Sequence, residues 1–399
     1  MIASAFDRDA PSISRSMTLL FAAACGLIIG NIYYVQPLAS PINAALGLPR
    51  SSTGLIVTLT QVGYALGLLL LVPLCDLLEN RRTIVIMIVV GAGALAIAGV
   101  THAAPVFLLA ALVIGLSTTA VQMLVPFAAS LAPVRQRGQV VGRVVSGVML
   151  GIMASRPLAS FIASLSSWQM VFLSSAGLMV VIAAILAITL RPRMPQIRLS
   201  YLGLLRSMAT LIVTQPVLRT RALCQLLLFA SFNLFWTVVP PLLAAAPFNL
   251  QQRDIGLFAL AGITGALASP VAGTLADWQL SRPSTIWGIV AAGAGYAITC
   301  FPIGDTTAAL VTLAIAAVFI NCGVALNFVI GLRAIYSLEP EQRSRLNGLF
   351  GACAFGGGAI GSSLGGWSYA HGGWPVVCVF GAAFSALALA YFLVSDTDR

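Results

Sequence analysis

The chain has 399 residues, of which 59% are hydrophobic and only 8% charged, with mean hydropathy +0.99; a soluble domain carries about 25% charged residues, so a water-surrounded globule is excluded, and a soluble enzyme with it. The net charge of +10 rests on 21 arginines and no lysine, scattered over short loops rather than gathered into the basic, aromatic-interleaved patch that a nucleic-acid partner needs. Seven cysteines without a CxxC or Cys/His cluster point to small buried hydrophobes, with neither a disulfide framework nor a metal site, and no cofactor is expected.

After the polar start MIASAFDRDAPSISRS, apolar runs fall near 17–38, 53–75, 83–101, 105–129, 139–164, 168–190, 220–245, 253–276, 283–303, 307–332, 344–369 and 373–394. A bilayer-spanning helix needs roughly 20 apolar residues, so the pattern predicts an all-α membrane protein of twelve transmembrane helices. The first run is too long for a signal-peptide core and is read as an uncleaved helix. Twelve crossings put both termini on one side. With the termini in the cytoplasm, eighteen of the 21 arginines lie on or beside cytoplasmic loops, Arg50 and Arg253 lie outside, and Arg156 lies within a span. The positive-inside rule selects this orientation. The expected location is a bacterial inner membrane.

The longest loop, 191–219, carries RPRMPQIRLS and then an amphipathic stretch from Tyr201 to Val213, expected on the membrane surface. It divides the chain into an N-terminal six-helix bundle (1–190), a cytoplasmic linker (191–219) and a C-terminal six-helix bundle (220–399). The two bundles repeat. Asn31-Ile-Tyr-Tyr34 with Pro37-Leu38 is echoed by Asn233-Leu-Phe-Trp236 with Pro240-Pro241-Leu242. Leu74-Cys-Asp76 with Arg81 is echoed by Leu275-Ala-Asp277 with Arg282, and Trp168 by Trp374. Three landmarks in one order at offsets of 202, 201 and 206 indicate parallel six-helix repeats, an architecture that places a substrate site near the midplane between them.

These landmarks resemble the major facilitator superfamily over nearly the whole chain. The family's loop between spans two and three reads roughly G-x-L-A-D-R-x-G-R-R. Gly273-Thr-Leu275-Ala276-Asp277 matches its first part, with Arg282 following. In the first half Leu74-Cys75-Asp76 and Arg81-Arg82 correspond, with Val72 in place of the first Gly and one extra residue between Asp and Arg. The resemblance implies a gating role for Asp76, Arg81, Arg82, Asp277 and Arg282; a solvated turn is the plainer alternative. The family's drug-efflux branch has a fifth-span motif, G-x8-G-x3-G-P-x2-G-G. Gly142, Gly151 and Ser155 fall on its first three positions and Ala159 and Ser160 on its last two. Arg156 stands where Pro belongs, and Pro157 comes one residue late. The fourth-span motif, normally bearing an Arg, is absent from Val106–Gln122.

A charge inside a span costs about 2.5–3.5 kcal/mol on insertion scales, so Arg156 needs a partner or a wet cavity, and no Asp or Glu lies deep in any span. It is a candidate for meeting an anionic or polar substrate group, or else a structural Arg bonded to neighbouring helices. Asn31, Tyr34, Gln61, Gln122, Asn233, Trp236, Asn321 and Asn327 are the other candidate substrate-binding residues. Asn31 and Tyr34 share a helix face by spacing, as do Asn233 and Trp236. Gly356-x-Gly358-x-x-Gly361 spells a nucleotide fingerprint by letters, but inside an apolar span it reads as close helix packing. The leading functional expectation is a monomeric secondary transporter of a small organic molecule by proton-coupled efflux, with lipid and protons as its partners. The second is a facilitator or importer of an organic anion with Arg156 as counter-charge. The third is a membrane receptor that moves nothing.

Overall fold

A computed structural model describes residues 14–133, 136–192, 194, 200–265, 268, 280–300, 305–338 and 342–395, with the backbone alone at 50, 75, 76 and 344. Among these residues every regular element is helical. Helix α1, Arg15–Gly30, opens at Ser14, whose side chain accepts from Met17 N. It gives way at residues 31–34 to tighter bonds from the N–H of Asn31, Ile32, Tyr33 and Gln36 to the carbonyls three residues back. The cause lies just downstream: Pro37 has no N–H to return to the carbonyl of Tyr33. Asn31 and Tyr34 therefore sit in a turn between two helices and not on one regular helical face. The chain continues as α2, Val35–Ala45, α3, Thr53–Leu70, and α4, Asn80–Val100, which is capped by Glu79 accepting from Arg82 N. Then come α5, Ala104–Thr118, α6, Ala120–Ser130, α7, Arg137–Leu165, and α8, Trp168–Thr189.

The amphipathic stretch is α9, Tyr201–Thr214, capped by Ser200. Leu204, Met208 and Leu211 are buried at the spacing of one helical stripe, while Leu202 and Val213 face outward. After it run α10, Pro216–Ala244, α11, Gln252–Phe258, continued by a 3₁₀ turn at Ala259–Ile263, α12, Ser281–Thr299, α13, Thr306–Tyr336, and α14, Arg343–Ser395. Within α14, Gly373 has φ 63° and ψ −161°, a conformation essentially confined to glycine, so two helices meet there.

Nine helical segments among the described residues are long and apolar enough to cross a membrane. The last spans 51 residues, about 77 Å at 1.5 Å per residue, against a hydrocarbon core of about 30 Å; it is long enough for two crossings, with Gly373 at the break. The run expected at 283–303 forms α12, which is less apolar than these nine. The run expected at 253–276 begins as α11, and most of the remainder lies outside the described residues. Large apolar side chains such as Leu19, Ile188 and Val394 are exposed, as a lipid-facing surface requires.

Helices α1–α8 enclose one apolar core, which α14 joins through Ala352, Ala354 and Phe355; α10–α14 enclose a second. A third, smaller cluster ties α9 to α10, α13 and α14. The α1–α7 contact is backbone on backbone. A Cβ at Gly147 would strike the carbonyl of Ala22, and one at Gly151 the carbonyl of Gly26.

Candidate functional site

Arg156 sits on α7, 3% exposed, where the N-terminal group α1–α8 meets the C-terminal group α10–α14. Its Nε donates to Gln36 Oε1 at 2.6 Å. Three aromatic rings surround the guanidinium carbon: Trp236 at 4.7 Å, Tyr33 at 4.9 Å and Phe232 at 5.4 Å from their centroids. Ring faces attract a cation, by about 2 kcal/mol or more where water is excluded, and the Gln36 bond is charge-assisted. These contacts offset part of the several kcal/mol that a buried ion costs. They add no negative charge, and Nη2 has no hydrogen-bond partner. Beside the guanidinium lies a cavity of about 10 Å³, lined by Gln36, Pro37 and Arg156 from one group and by Trp236, Val239, Pro240, Ile255, Phe258 and Ala259 from the other.

The Arg156 bond sets the direction of a longer relay. Because Gln36 accepts through Oε1, its Nε2 is turned to donate, and it donates to Asn233 Oδ1 at 3.0 Å. Gln61 Nε2 donates to the same oxygen at 3.1 Å, and Asn233 Nδ2 returns to Phe229 O on its own helix at 3.0 Å. Gly358 makes room for this junction: a Cβ there would lie 2.8 Å from Asn233 Nδ2 and 3.2 Å from Gln61 Oε1. Further bonds cross between the groups on either side of the relay. Gln252 Nε2 donates to Pro37 O at 3.0 Å and Ser160 Oγ at 3.2 Å. Towards the start of α14, Asn347 Nδ2 donates to Gln122 Oε1 at 3.3 Å, and Gln122 Nε2 to Tyr64 Oη at 3.0 Å. The two groups are thus held together at three levels.

Of the residues singled out by sequence, Gln61, Arg156, Asn233 and Trp236 come together here, and Gln122 bridges the groups at another level. Asn31 and Tyr34 do not join them. Asn31 accepts from Ser175 Oγ at 2.6 Å and donates to Met179 Sδ, inside the N-terminal group. Asn327 donates to Thr285 O and Gly323 O, and Asn321 to Ala317 O, inside the C-terminal group. Arg81 Nη1 donates to Leu190 O at 3.3 Å, and Arg82 and Arg282 are exposed; Asp277 and the Asp76 side chain lie outside the described residues. In the fifth-span motif, Gly151 packs on α1 and Gly142 faces open space, while Ser160 lies under Gly256 of α11. Sequence reasoning missed Gln36, Tyr33, Phe232 and Gln252. Gln36 was findable, because an amide inside the first apolar run meets the criterion that selected Gln61. Arg221, counted from sequence only among the arginines on or beside cytoplasmic loops, is buried over Phe392, and its Nη1 donates to Thr285 Oγ1 at 2.7 Å.

The sequence profile described as Major Facilitator Superfamily matches residues 19–214 and 221–399. The chain belongs to the major facilitator superfamily. It is 37% identical over 381 residues to the putative uncharacterized transporter YgaY of Escherichia coli K12, covering 94% of this chain and 95% of that one. It is 27% identical to a probable transporter of Streptomyces coelicolor, over 94% and 86% of the two chains. The crystal structure of the nucleoside transporter NupG superposes with a TM-score of 0.75 over 96% of this chain and 99% of that one, at 15% identity, which is a likeness of fold. The major facilitator chain described here is therefore a multi-pass membrane protein and a secondary transporter of a small molecule.

Proposed function

We propose that this major facilitator protein carries a small organic solute through the junction of two six-helix repeats, residues 1–190 and 220–399 joined by the linker 191–219, by alternating access. The observation that carries the site is Arg156: a buried cation, ringed by aromatics, at the meeting of the two groups and without a counter-ion among the described residues. Its solute presents a negative or strongly accepting group to that guanidinium. Purified protein in proteoliposomes, with a panel of labelled metabolites and drugs, tests the site. Arg156→Ala lowers uptake of the transported compound by at least about tenfold, the scale of one lost charge-assisted contact; unchanged uptake at normal expression rejects the site.

For direction and coupling the leading reading is proton-coupled efflux from the cytoplasm. It draws on the fifth-span small-residue series, which lets α7 approach α1 at Gly151 and α11 at Ser160. In this reading the termini are cytoplasmic, the protein works as a monomer in a bacterial inner membrane, and Asp76, Arg81, Arg82, Asp277 and Arg282 gate the cytoplasmic side. The second reading, an organic-anion facilitator or importer, is favoured by the lack of a carboxylate beside Arg156 among the described residues. Everted vesicles with an acid interior separate the two. A compound that collapses the proton gradient only when the protein is present supports antiport; equilibration of labelled anions without proton movement supports the facilitator.

A further inference from the structure

Two buried donors at the junction are left over. Arg156 Nη2 and the indole Nε1 of Trp236 both lack a hydrogen-bond partner, and both side chains line the same cavity. A guanidinium N–H and an indole N–H can only donate, and a buried donor left unmade costs about 1–3 kcal/mol. The natural occupant therefore accepts two hydrogen bonds, one from each side chain.

Its charge follows from the wall. Arg156 is a fixed cation, and among the described residues no acidic side chain lines the cavity. One negative charge on the occupant leaves the pair neutral. A dianion such as a phosphate monoester would bring a second charge with nothing opposite it, at the cost of burying an unpaired ion. An ammonium group would find no carboxylate. Of the other lining side chains, Gln36 has its amide engaged by Arg156 and Asn233, and those of Pro37, Val239, Pro240, Ile255, Phe258 and Ala259 carry no polar atom, so the body of the occupant is apolar. In the present closed arrangement the cavity holds about one water, so the body enters when the groups part and the paired donors are the part of the site already formed.

We propose that the cargo is a small organic monocarboxylate with an apolar, ring-bearing body, its two oxygens held by Arg156 Nη2 and Trp236 Nε1. This rests on the reading of Arg156 as the substrate site and adds the chemical class and the second contact.

The test uses the full chain purified in detergent and in proteoliposomes, with benzoate, benzamide, benzylamine and phenyl phosphate as probes of one body and four head groups. Benzoate is expected to raise the melting temperature and to be taken up, with the other three at least about tenfold weaker as competitors. Trp236→Phe keeps an aromatic face beside Arg156 but removes the N–H together with part of the indole's volume, a loss of packing that benzoate and benzamide share; it is expected to weaken benzoate about tenfold more than it weakens benzamide. Should that variant fail to fold, the wild-type order of the four probes decides alone. A wild-type preference for benzamide, benzylamine or phenyl phosphate overturns the carboxylate assignment, as does failure of benzoate to bind. Benzoate binding weakened no more than benzamide binding in Trp236→Phe overturns the two-donor contact. If a non-acidic compound from the wider panel is carried and its transport is lost in Arg156→Gln, the carboxylate class falls while the Arg156 site stands. Transport indifferent to Arg156→Gln removes both.

Discussion

Among the described residues Arg156 is buried against Gln36 and three aromatic rings with no carboxylate in contact, and the Gln36 contact gives a way to test what that charge does. Gln36 Oε1 lies 2.6 Å from Arg156 Nε, so Gln36→Glu places a carboxylate against the guanidinium without changing side-chain volume. A buried cation that has lacked a counter-ion gains one, while Asn233 Oδ1 loses one of its two donors. The ion pair is the larger effect where water is excluded. The expected outcome is a melting temperature equal to or above wild type together with uptake reduced by at least about tenfold, since an incoming anion then meets a neutral pair. Full uptake in Gln36→Glu would mean that Arg156 does not serve as the free cation of the site. Gln36→Leu makes the opposite change: it strands Arg156 Nε and takes the same donor from Asn233, at a cost of about 1–3 kcal/mol, read as a lower melting temperature in detergent. Arg156 itself was legible in the sequence, because a charge in an apolar run is a signal that periodicity cannot hide. Its partners were less so. Tyr33 and Phe232 look like ordinary core aromatics until the turn at 31–34 and the approach of α10 bring them around a guanidinium.

At the scale of the helix, small residues written in a spacing pattern are not equivalent once packed. Gly142 and Gly151 occupy neighbouring positions of the same fifth-span series, yet a Cβ at Gly142 meets nothing within 4 Å while one at Gly151 meets the backbone of Gly26. Gly151→Val must push α1 away, and overpacking of this kind costs about 1–3 kcal/mol. Gly142→Val is expected to stay within about 0.5 kcal/mol of wild type, as for a surface change. Thermal unfolding of the two variants in detergent checks the contrast; equal melting temperatures would show that the α1–α7 approach contributes nothing to stability. Gly373→Ala, at φ 63°, carries a separate backbone penalty of about 1–3 kcal/mol. Helix existence followed from run length and hydropathy, and the apolar runs at α3, α4, α7 and α8 lie close to their helices. The break at 31–34 did not stand out, because Pro37 could equally have kinked a continuous helix. Nor could spacing alone tell which face of α7 carries the close contact.

Over the whole molecule, polar bonds between the two groups set how readily they part. Asn233 accepts from Gln36 and Gln61, Gln252 reaches Pro37 and Ser160, Asn347 reaches Gln122, and Thr58 Oγ1 donates to Ala359 O at 3.3 Å. Interhelical hydrogen bonds in membranes average about 0.6 kcal/mol each, so the set amounts to about 4 kcal/mol. Reversing a 99:1 preference takes about 5.5 kcal/mol of differential binding, which places the closed arrangement within reach of a single well-held solute. If transport requires the groups to separate along α3 and α14, fastening those helices must stop it. The pair Thr58→Cys with Ala359→Cys, in a background with the native cysteines replaced, joins them where they already touch. Bridging with a short thiol cross-linker is expected to cut uptake below about a tenth of the unbridged level, and a reducible linker is expected to restore it on reduction. Substrate added before the reagent should slow bridging if it favours separation of the groups. Uptake at the full rate in the bridged protein would instead mean that α3 and α14 move as one body, and the separation would then have to occur between α7 and α11, where Ser160 lies under Gly256.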